Sequence, residues 1–294
     1  MTKLAAPEVD ASTVRDLLDD ASRRFAAADI AQPRLDARVL LAHVLGAPGE
    51  RFYGREDKAV SSVVGMAFDA VVRRRLNREP VSRILGSRGF WSLEFELNEA
   101  ALDPRPDSET LIEAVLDHVA PREAPLHVLD LGTGTGCLLL SVLAEFQQAR
   151  GTGIDISPEC VSLARRNAKA NRLEDRVTFQ VAHWDDGLDT IFDVILCNPP
   201  YIPRSVVPTL EPEVAVHEPV RALDGGPDGL DCYRDLASRF GRVLAENGHV
   251  FLEIGHDQRA EVTAIMAGKG LKTIAVRSDL AGHDRCLVLQ DGGG

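Results

Sequence analysis

The chain is poor in every feature that would take it out of a reducing, aqueous compartment. Its five cysteines, Cys137, Cys160, Cys197, Cys232 and Cys286, are scattered, and no two form a Cys-x-x-Cys pair. That argues against a zinc site and a disulfide framework and fits a reducing cytosol, so no metal is expected. No apolar run approaches the roughly 20 residues of a membrane-spanning helix, and no membrane role is expected. Residues 1–10 show no charged stretch followed by an apolar one, so no secretory signal is expected and the expected location is cytoplasmic. Positive charge is also lacking, the formal net charge being −12. A protein that grips nucleic acid usually carries a basic footprint, so no stable nucleic-acid complex is expected. There is no internal repeat, and no low-complexity tract beyond the terminal glycines.

What remains is an ordinary globular chain of 294 residues, 45% hydrophobic and 27% charged, long enough for one large or two modest domains. Residues 12–76 read as helical. Ser12 or Thr13 can cap a helix through Ala28, with Val14, Leu17, Leu18, Ala21 and Phe25 on one face. Pro33 opens a second helix carrying Leu35, Val39, Leu40, Ala42 and Val44, and a third runs from about Ser62 to Leu76. The third ends in a basic cluster, Arg73, Arg74, Arg75 and Arg78, which is either a solvated helix end favoured by the helix dipole or a contact for RNA or an acidic partner. Residues 82–97 alternate like a strand pair around the turn Gly86-Ser87-Arg88-Gly89 and read as a hairpin linker. Asp107 or Ser108 then caps a helix through about Val119. From Leu126 strands and helices alternate, the mark of a parallel sheet with crossover helices. Strands are expected near 126–131, 151–155, 176–181, 192–197, 249–254, 272–277 and 285–290. Helices are expected near 136–148, 158–170, 229–245 and 257–268.

One loop carries chemistry. The apolar run Phe192–Cys197 reads as a buried strand ending abruptly at Asn198-Pro199-Pro200-Tyr201. Two prolines fix φ and remove two backbone donors, and each holds the residue before it extended. The result is a stiff loop at the carboxyl end of a strand, where ligands bind in open α/β sheets. It suits holding a planar nitrogen against a carbon electrophile. The two N–H groups of an amide or aromatic amine can donate to the Asn198 side-chain oxygen and the Pro199 carbonyl, which orients the nitrogen and meets its developing charge. Tyr201 can pack on the planar group. The bland alternative is a Pro-rich turn that ends a strand.

Upstream, Val128-Leu129-Asp130-Leu131 runs into Gly132-Thr133-Gly134-Thr135-Gly136 and then an apolar helix. Glycines at such a turn let backbone approach a ligand closely, but the Gly-x-Gly-x-Gly spacing departs from the dinucleotide fingerprint. The next strand ends at Asp155, an acid placed to accept from two ribose hydroxyls; its alternative is a cap for the helix opening at Pro158, for which Ser157 is better suited. The third strand leads to His183-Trp184-Asp185. Trp184 is a candidate cover for an adenine ring, with ordinary core as the alternative.

With these residues in order on successive strands, the chain resembles class I S-adenosylmethionine-dependent methyltransferases, and in particular the HemK/PrmC family of protein-(glutamine-N5) methyltransferases that modify peptide chain release factors. The likeness covers almost the whole chain. It includes Pro33 to Leu41, Arg78-Glu79-Pro80, Pro104 to Glu109, Asp130 to Gly136, Asn198 to Tyr201, Glu218-Pro219, Gly225-Gly226, Asp228-Gly229-Leu230, Leu252 to Gly255 and Asp279 to Gly282. The resemblance implies an α/β fold with a Rossmann-like seven-stranded sheet and a small N-terminal helical domain joined by a β-hairpin. The expected boundaries are 1–80 for substrate recognition, 81–104 for the hairpin linker and 105–294 for the methyltransferase domain. It implies that Gly132, Thr133, Gly134, Thr135, Gly136, Asp155, Trp184 and Asn198 bind S-adenosyl-L-methionine. It implies that Asn198, Pro199, Pro200 and Tyr201 hold the glutamine of the Gly-Gly-Gln motif of class I release factors, with Asn198, Pro199 and Tyr201 acting in catalysis. Family members often carry an acid just before the Trp184 position. His183 stands there in this chain, and Asp185 is the acid available to substitute. Asn-Pro-Pro-Tyr also occurs in enzymes that methylate adenine N6, where the amine is equally planar, so the loop alone does not decide. The acidic balance and the whole-chain likeness favour a protein substrate, and the intact loop argues against a non-catalytic cofactor-binding module.

Overall fold

The computed structural model describes residues 12–292 apart from 48, 50, 51 and 53; the reading of residues 1–10 lies outside them, as do the last two terminal glycines. The chain divides into two compact units, Met1–Gly86 and Ser87–Gly294.

The first unit is helical. Helix α1, Val14–Ala27, starts in a reciprocal cap in which the Thr13 hydroxyl accepts from Asp16 N and the Asp16 carboxylate accepts from Thr13 N. It buries Val14, Leu18, Ala21 and Phe25. Helix α2, Pro33–Val44, buries Ala37, Leu40, Leu41 and Ala42, whereas Leu35, expected on the core face, is 54% exposed. Helix α3, Ser62–Leu76, ends in the basic cluster. Arg73 bonds Asp69, Arg74 bonds Glu79, Arg75 bonds Asp36 at 2.8 Å, and Arg78 donates to the carbonyl of Ala28 at 3.0 Å. Each of the four arginines thus has a partner within its own unit. A short helix α4, Val81–Leu85, follows, and Ile84 joins the core of this unit.

Here the structure corrects the sequence reading. Gly86, expected within a hairpin turn, sits at φ 75 as the left-handed cap of α4. The hairpin pairs β1, Ser87–Phe90, with β2, Leu93–Glu96, and its turn is Trp91-Ser92, with Trp91 at φ 53. Trp91 is held there by both of its donors: the backbone N–H to Glu109 and the indole N–H to Glu145, each at 2.7 Å. The hairpin, the first element of the second unit, is fastened to the rest of that unit by the buried Asn167. Its amide accepts from Glu96 N and donates to the carbonyls of Glu96 and Thr135.

The second unit continues with a 3₁₀ turn at Pro106–Ser108 and helix α5, Glu109–His118. Ser108 makes no side-chain cap to α5; its hydroxyl is engaged elsewhere. Then come β3 His127–Leu131, α6 Cys137–Glu145, β4 Arg150–Asp155, α7 Pro158–Ala170, β5 Val177–Val181 and β6 Phe192–Cys197. They are followed by α8 Pro212–Ala215, α9 Asp231–Ala237, α10 Phe240–Val243, β7 Leu244–Glu253, α11 Arg259–Ala267, β8 Leu271–Ser278 and β9 Asp284–Asp291. Strands β3 to β9 form a seven-stranded sheet in the order β5-β4-β3-β6-β7-β9-β8. The sheet is mixed rather than wholly parallel, because β9 runs antiparallel to both neighbours. The segment expected as one helix over 229–245 is broken into α9 and α10, and β7 begins earlier than expected, at Leu244.

The apolar strand residues alternate between two cores, as a pleated strand requires. Val128, Val194, Leu196, Phe251 and Val288 face the core shared with α5, α6 and α7. Leu129, Ile195, Cys197, Leu252 and Leu287 face the core shared with α9, α10 and α11. Strand order turns at β3, which pairs with β4 on one side and β6 on the other. A crevice at the carboxyl ends of these strands is the ligand position of such a sheet.

Candidate active site

The loop after β3 is the glycine-rich turn. Gly132, Gly134 and Gly136 adopt φ 78, 54 and 83, values that only glycine takes without strain. The amides of Gly132 and Thr133 donate to the carbonyl of Ile154 at 2.9 and 2.8 Å, tying the turn to β4. The Thr133 hydroxyl donates to the buried Asp130 at 2.6 Å. Burial, reinforced by the nearby charge of Asp155, pushes the Asp130 carboxyl up to about 7. At the end of β4, the Asp155 carboxylate accepts from Gly134 N through Oδ2 and from Ser157 N through Oδ1, both at 2.9 Å. Ser157 is the cap of α7, its hydroxyl accepting from Cys160 N.

A cavity of about 330 Å³ opens here, within the size range of small-ligand sites. Gly132, Thr133, Gly134, Thr135, Asp155, Trp184, Asn198 and Pro200 all line it. Gly136, Pro199 and Tyr201 are not among the lining residues. Gly136 instead starts α6, packed near Leu140 and Ala164. Trp184 is half-buried at φ 49, and its ring lies over Gly132, where a Cβ would come within 3.6 Å of it.

Asp185 does not stand in for the missing acid. It is 1% exposed and ion-paired with Arg239 at 2.7 Å and with Arg242, away from the cavity. Burial alone would raise its carboxyl, but the two guanidinium groups outweigh that and hold it below the usual range. His183 is the residue that lines the cavity, its ring near the carboxylates of Asp186 and Asp235 at 3.9 and 3.8 Å.

The Asn198 loop is clamped from behind. Asn198 Nδ2 donates to Ser108 Oγ at 3.1 Å, and Asn198 itself lines the cavity. Tyr201, expected to pack on the bound planar group, packs against the α9–α11 core and donates its hydroxyl to Glu253 at 3.3 Å. Its carbonyl accepts from Gln258 at 2.9 Å. Gly225 and Gly229 let the chain pass behind the loop, since a Cβ at Gly225 would fall 2.8 Å from Tyr201 Cα. Burial lifts the Glu253 carboxyl to about 7.

Sequence reasoning assigned no role to several residues gathered here. Arg221 lines the cavity and donates to the Ala100 carbonyl at 3.0 Å and the Ser157 hydroxyl at 2.9 Å. Buried Glu218 accepts from Arg105 at 2.8 Å and from Asp103 N at 3.2 Å, pinning the segment that leads into α5. Ser108 and Glu253 complete the support of Asn198 and Tyr201. Glu218, Ser108 and Glu253 lay within the family-like stretches, Ser108 read there only as a helix cap, and Arg221 carried no sequence signal.

Comparison with known proteins identifies the family. Residues 16–86 match the model of the PrmC N-terminal domain and residues 123–269 that of a methyltransferase domain. A release factor glutamine methyltransferase of Rhodospirillum rubrum is 45% identical over 97% of this chain and 87% of its own length. The chain belongs to the release factor glutamine methyltransferase family. A second member, from Agrobacterium fabrum, is 41% identical over 95% of this chain and 98% of its own length. The hMettl16 catalytic domain in complex with MAT2A 3′UTR hairpin 6 is 17% identical, covers 73% of this chain and 82% of its own, and superposes with a TM-score of 0.58, a likeness of fold. In this family member the matched methyltransferase domain contains the glycine-rich turn, Asp155, Trp184 and the Asn198 loop. Among the described residues no helix is long and apolar enough to cross a membrane, and no three His, Cys, Asp or Glu side chains cluster to hold a metal.

Proposed function

We propose that the chain transfers the methyl group of S-adenosylmethionine to the side-chain amide nitrogen of the glutamine in the Gly-Gly-Gln motif of class I peptide chain release factors. The observation that carries this reading is one cavity lined both by the glycine-rich turn with Asp155 and by Asn198 of the Asn-Pro-Pro-Tyr loop, in a chain of this family.

The residues fit the cofactor. A carboxylate offers about four acceptor positions. Backbone amides take two of them at Asp155, and the others are open to two ribose hydroxyls. The Trp184 ring gives an adenine a flat apolar partner, and the buried Thr135 hydroxyl in the cavity wall has no partner at hydrogen-bond geometry. S-adenosylmethionine supplies an electrophilic methyl group. The chain's own task is to make a poor nucleophile attack it. An amide nitrogen has its lone pair delocalised. Asn198 Oδ1 and the Pro199 carbonyl accept its two N–H groups, fix its direction and meet the positive charge that grows on it. Pro199 and Pro200 carry no N–H to compete for those acceptors. The nitrogen becomes acidic once alkylated, so its proton can leave to water without a dedicated base. Five free cysteines fit the reducing cytosol in which such a substrate resides.

The test is to incubate the protein with labelled cofactor and either a release factor, the same factor with its motif glutamine changed to alanine, or DNA. Label only in the factor bearing the glutamine is expected. Label in DNA, or in the factor lacking the glutamine, overturns the reading.

A further inference from the structure

The Asn198 amide presents either an acceptor oxygen or a donor nitrogen, and only the oxygen suits an incoming N–H. The structure points the nitrogen at Ser108 Oγ. Ser108 accepts that bond and still has its own hydroxyl proton to place. Beyond it lies Glu253, which is 2% exposed. Tyr201 donates to Glu253 Oε1, Oε2 is buried with no partner at hydrogen-bond geometry, and the Ser108 hydroxyl lies close enough to favour the charged carboxylate. The unplaced proton and the open oxygen are complementary.

We propose that Glu253 is a positioning residue that sets the polarity of the Asn198 amide through Ser108 and anchors the other end of the loop through Tyr201. This rests on the methyl-transfer reading above. A carboxylate can only accept. Facing it, Ser108 must donate inward and therefore accept from Asn198, which releases the amide oxygen to the cavity. A protonated Glu253 has a proton to give. Ser108 can then accept it and donate to Asn198 Oδ1, and the amide turns its nitrogen toward the substrate's own N–H groups.

The surroundings decide which form holds. Burial first, with Asp107 beside the start of α5, favours the neutral carboxyl, while Arg285 on β9 favours the charged one. Arg285 is itself held by Asp279 at 3.0 Å and lies 3.5 Å from Asp107. Tyr201 and Tyr233, whose hydroxyl donates to the Glu253 carbonyl at 3.0 Å, are both raised by burial and stay protonated. Burial does the same to the neighbouring thiols of Cys137, Cys197 and Cys286.

The experiment measures kcat on intact release factor at saturating cofactor across about pH 5.5 to 9. The wild type should lose turnover as pH falls through about 7, where the accepting form of Glu253 is lost. Glu253→Gln keeps the shape but carries a donor at every pH. Its kcat at high pH should drop roughly tenfold or more, less than the 10²–10³ of a direct contact, its acid limb should flatten, and its cofactor dissociation constant should stay within about twofold. Ser108→Ala should flatten the same limb and serves if the first variant does not fold. A variant that keeps wild-type turnover, or keeps the acid limb, overturns the proposal. A wild type that labels no glutamine overturns the functional reading instead.

Discussion

Replacing Asp155 by alanine removes more than the acceptor we propose for the cofactor's ribose. In the structure each carboxylate oxygen accepts a backbone amide at 2.9 Å, one from Gly134 in the glycine-rich turn and one from Ser157 at the start of α7. Charge-assisted hydrogen bonds contribute about 1.5–3 kcal/mol each. Losing one such bond to a ribose hydroxyl raises the dissociation constant roughly 10- to 150-fold, at about 1.4 kcal/mol per factor of ten. The turn adds to that loss. With its acceptor gone, Gly134 N–H is free to rotate, and the three left-handed glycines offer little resistance, so the free protein must reorder the turn when it binds. The expected result of calorimetry with S-adenosylmethionine is therefore a rise toward the upper end of that range. Turnover at saturating cofactor should change little, because Asp155 touches no reacting atom. Asp155→Asn should fall between the two, since its oxygen can keep one amide. A dissociation constant for Asp155→Ala within threefold of wild type would show that the carboxylate serves only the local turn.

Asn198→Ala should behave in the opposite way, cutting turnover by about 10²–10³ while calorimetry shows cofactor affinity almost unchanged; turnover within threefold of wild type refutes its role. Asp130 yields a pH effect: its carboxyl is raised by burial from 3.8 to about 7, so its contribution to stability is full below 3.8 and is lost as pH rises through about 7. The melting temperature of the free protein should then fall across that window, and Asp130→Asn should remove part of the fall; parallel melting curves for the two proteins would contradict this. For residues 1–86, which we read as the surface that docks the release factor, a chain begun at Ser87 and shown to be folded should bind cofactor and methylate a short Gly-Gly-Gln peptide as the full chain does. It should lose most of the advantage on intact release factor, since selection of one glutamine draws on binding energy from remote surface; undiminished activity on the whole factor contradicts docking.

Legibility followed locality. Strands β3 and β6 were plain from their apolar runs and β4, Arg-Gly-Thr-Gly-Ile-Asp, only from the alternation of strands and helices, and the turn after β3, Asp155 and Asn198 all lie at strand ends next to their own signals. Failures came where distant groups decide the conformation. Gly86 and Gly89 look like a turn, yet Ile84 is drawn into the first unit's core and Gly86 becomes a helix cap. Trp91 is a poor turn residue by composition, but Glu109 and Glu145 hold its two N–H groups. The helix expected over 229–245 breaks near Arg239, which is pulled to Asp185, Asp186 and Asp235. In the site, Asn198 and its partner Ser108 are 90 positions apart, and Arg105 and Glu218 are 113 apart. No spacing rule reaches that far.

Asp185 shows why an acid near a ligand is not by itself a ligand. Trp184 holds a left-handed backbone, which costs a non-glycine residue about 1–3 kcal/mol and persists only where the surroundings over-determine it. The next residue supplies that constraint. Asp185 is fully buried at its side chain, paired with Arg239 and Arg242, and Arg239 is tied in turn to Asp235. A buried carboxylate with two guanidinium partners is costly to displace, because breaking such a pair leaves an uncompensated charge. The chain is therefore tied at this point to α10 and the residue before it, and the strained residue before the anchor has one place to put its ring. That place is over Gly132, in the wall of the cavity. His183 is left on the lining beside it, so the polar edge of this part of the site is an imidazole that can donate or accept. Asp185 thus shapes the cavity wall through Trp184, from outside the cavity.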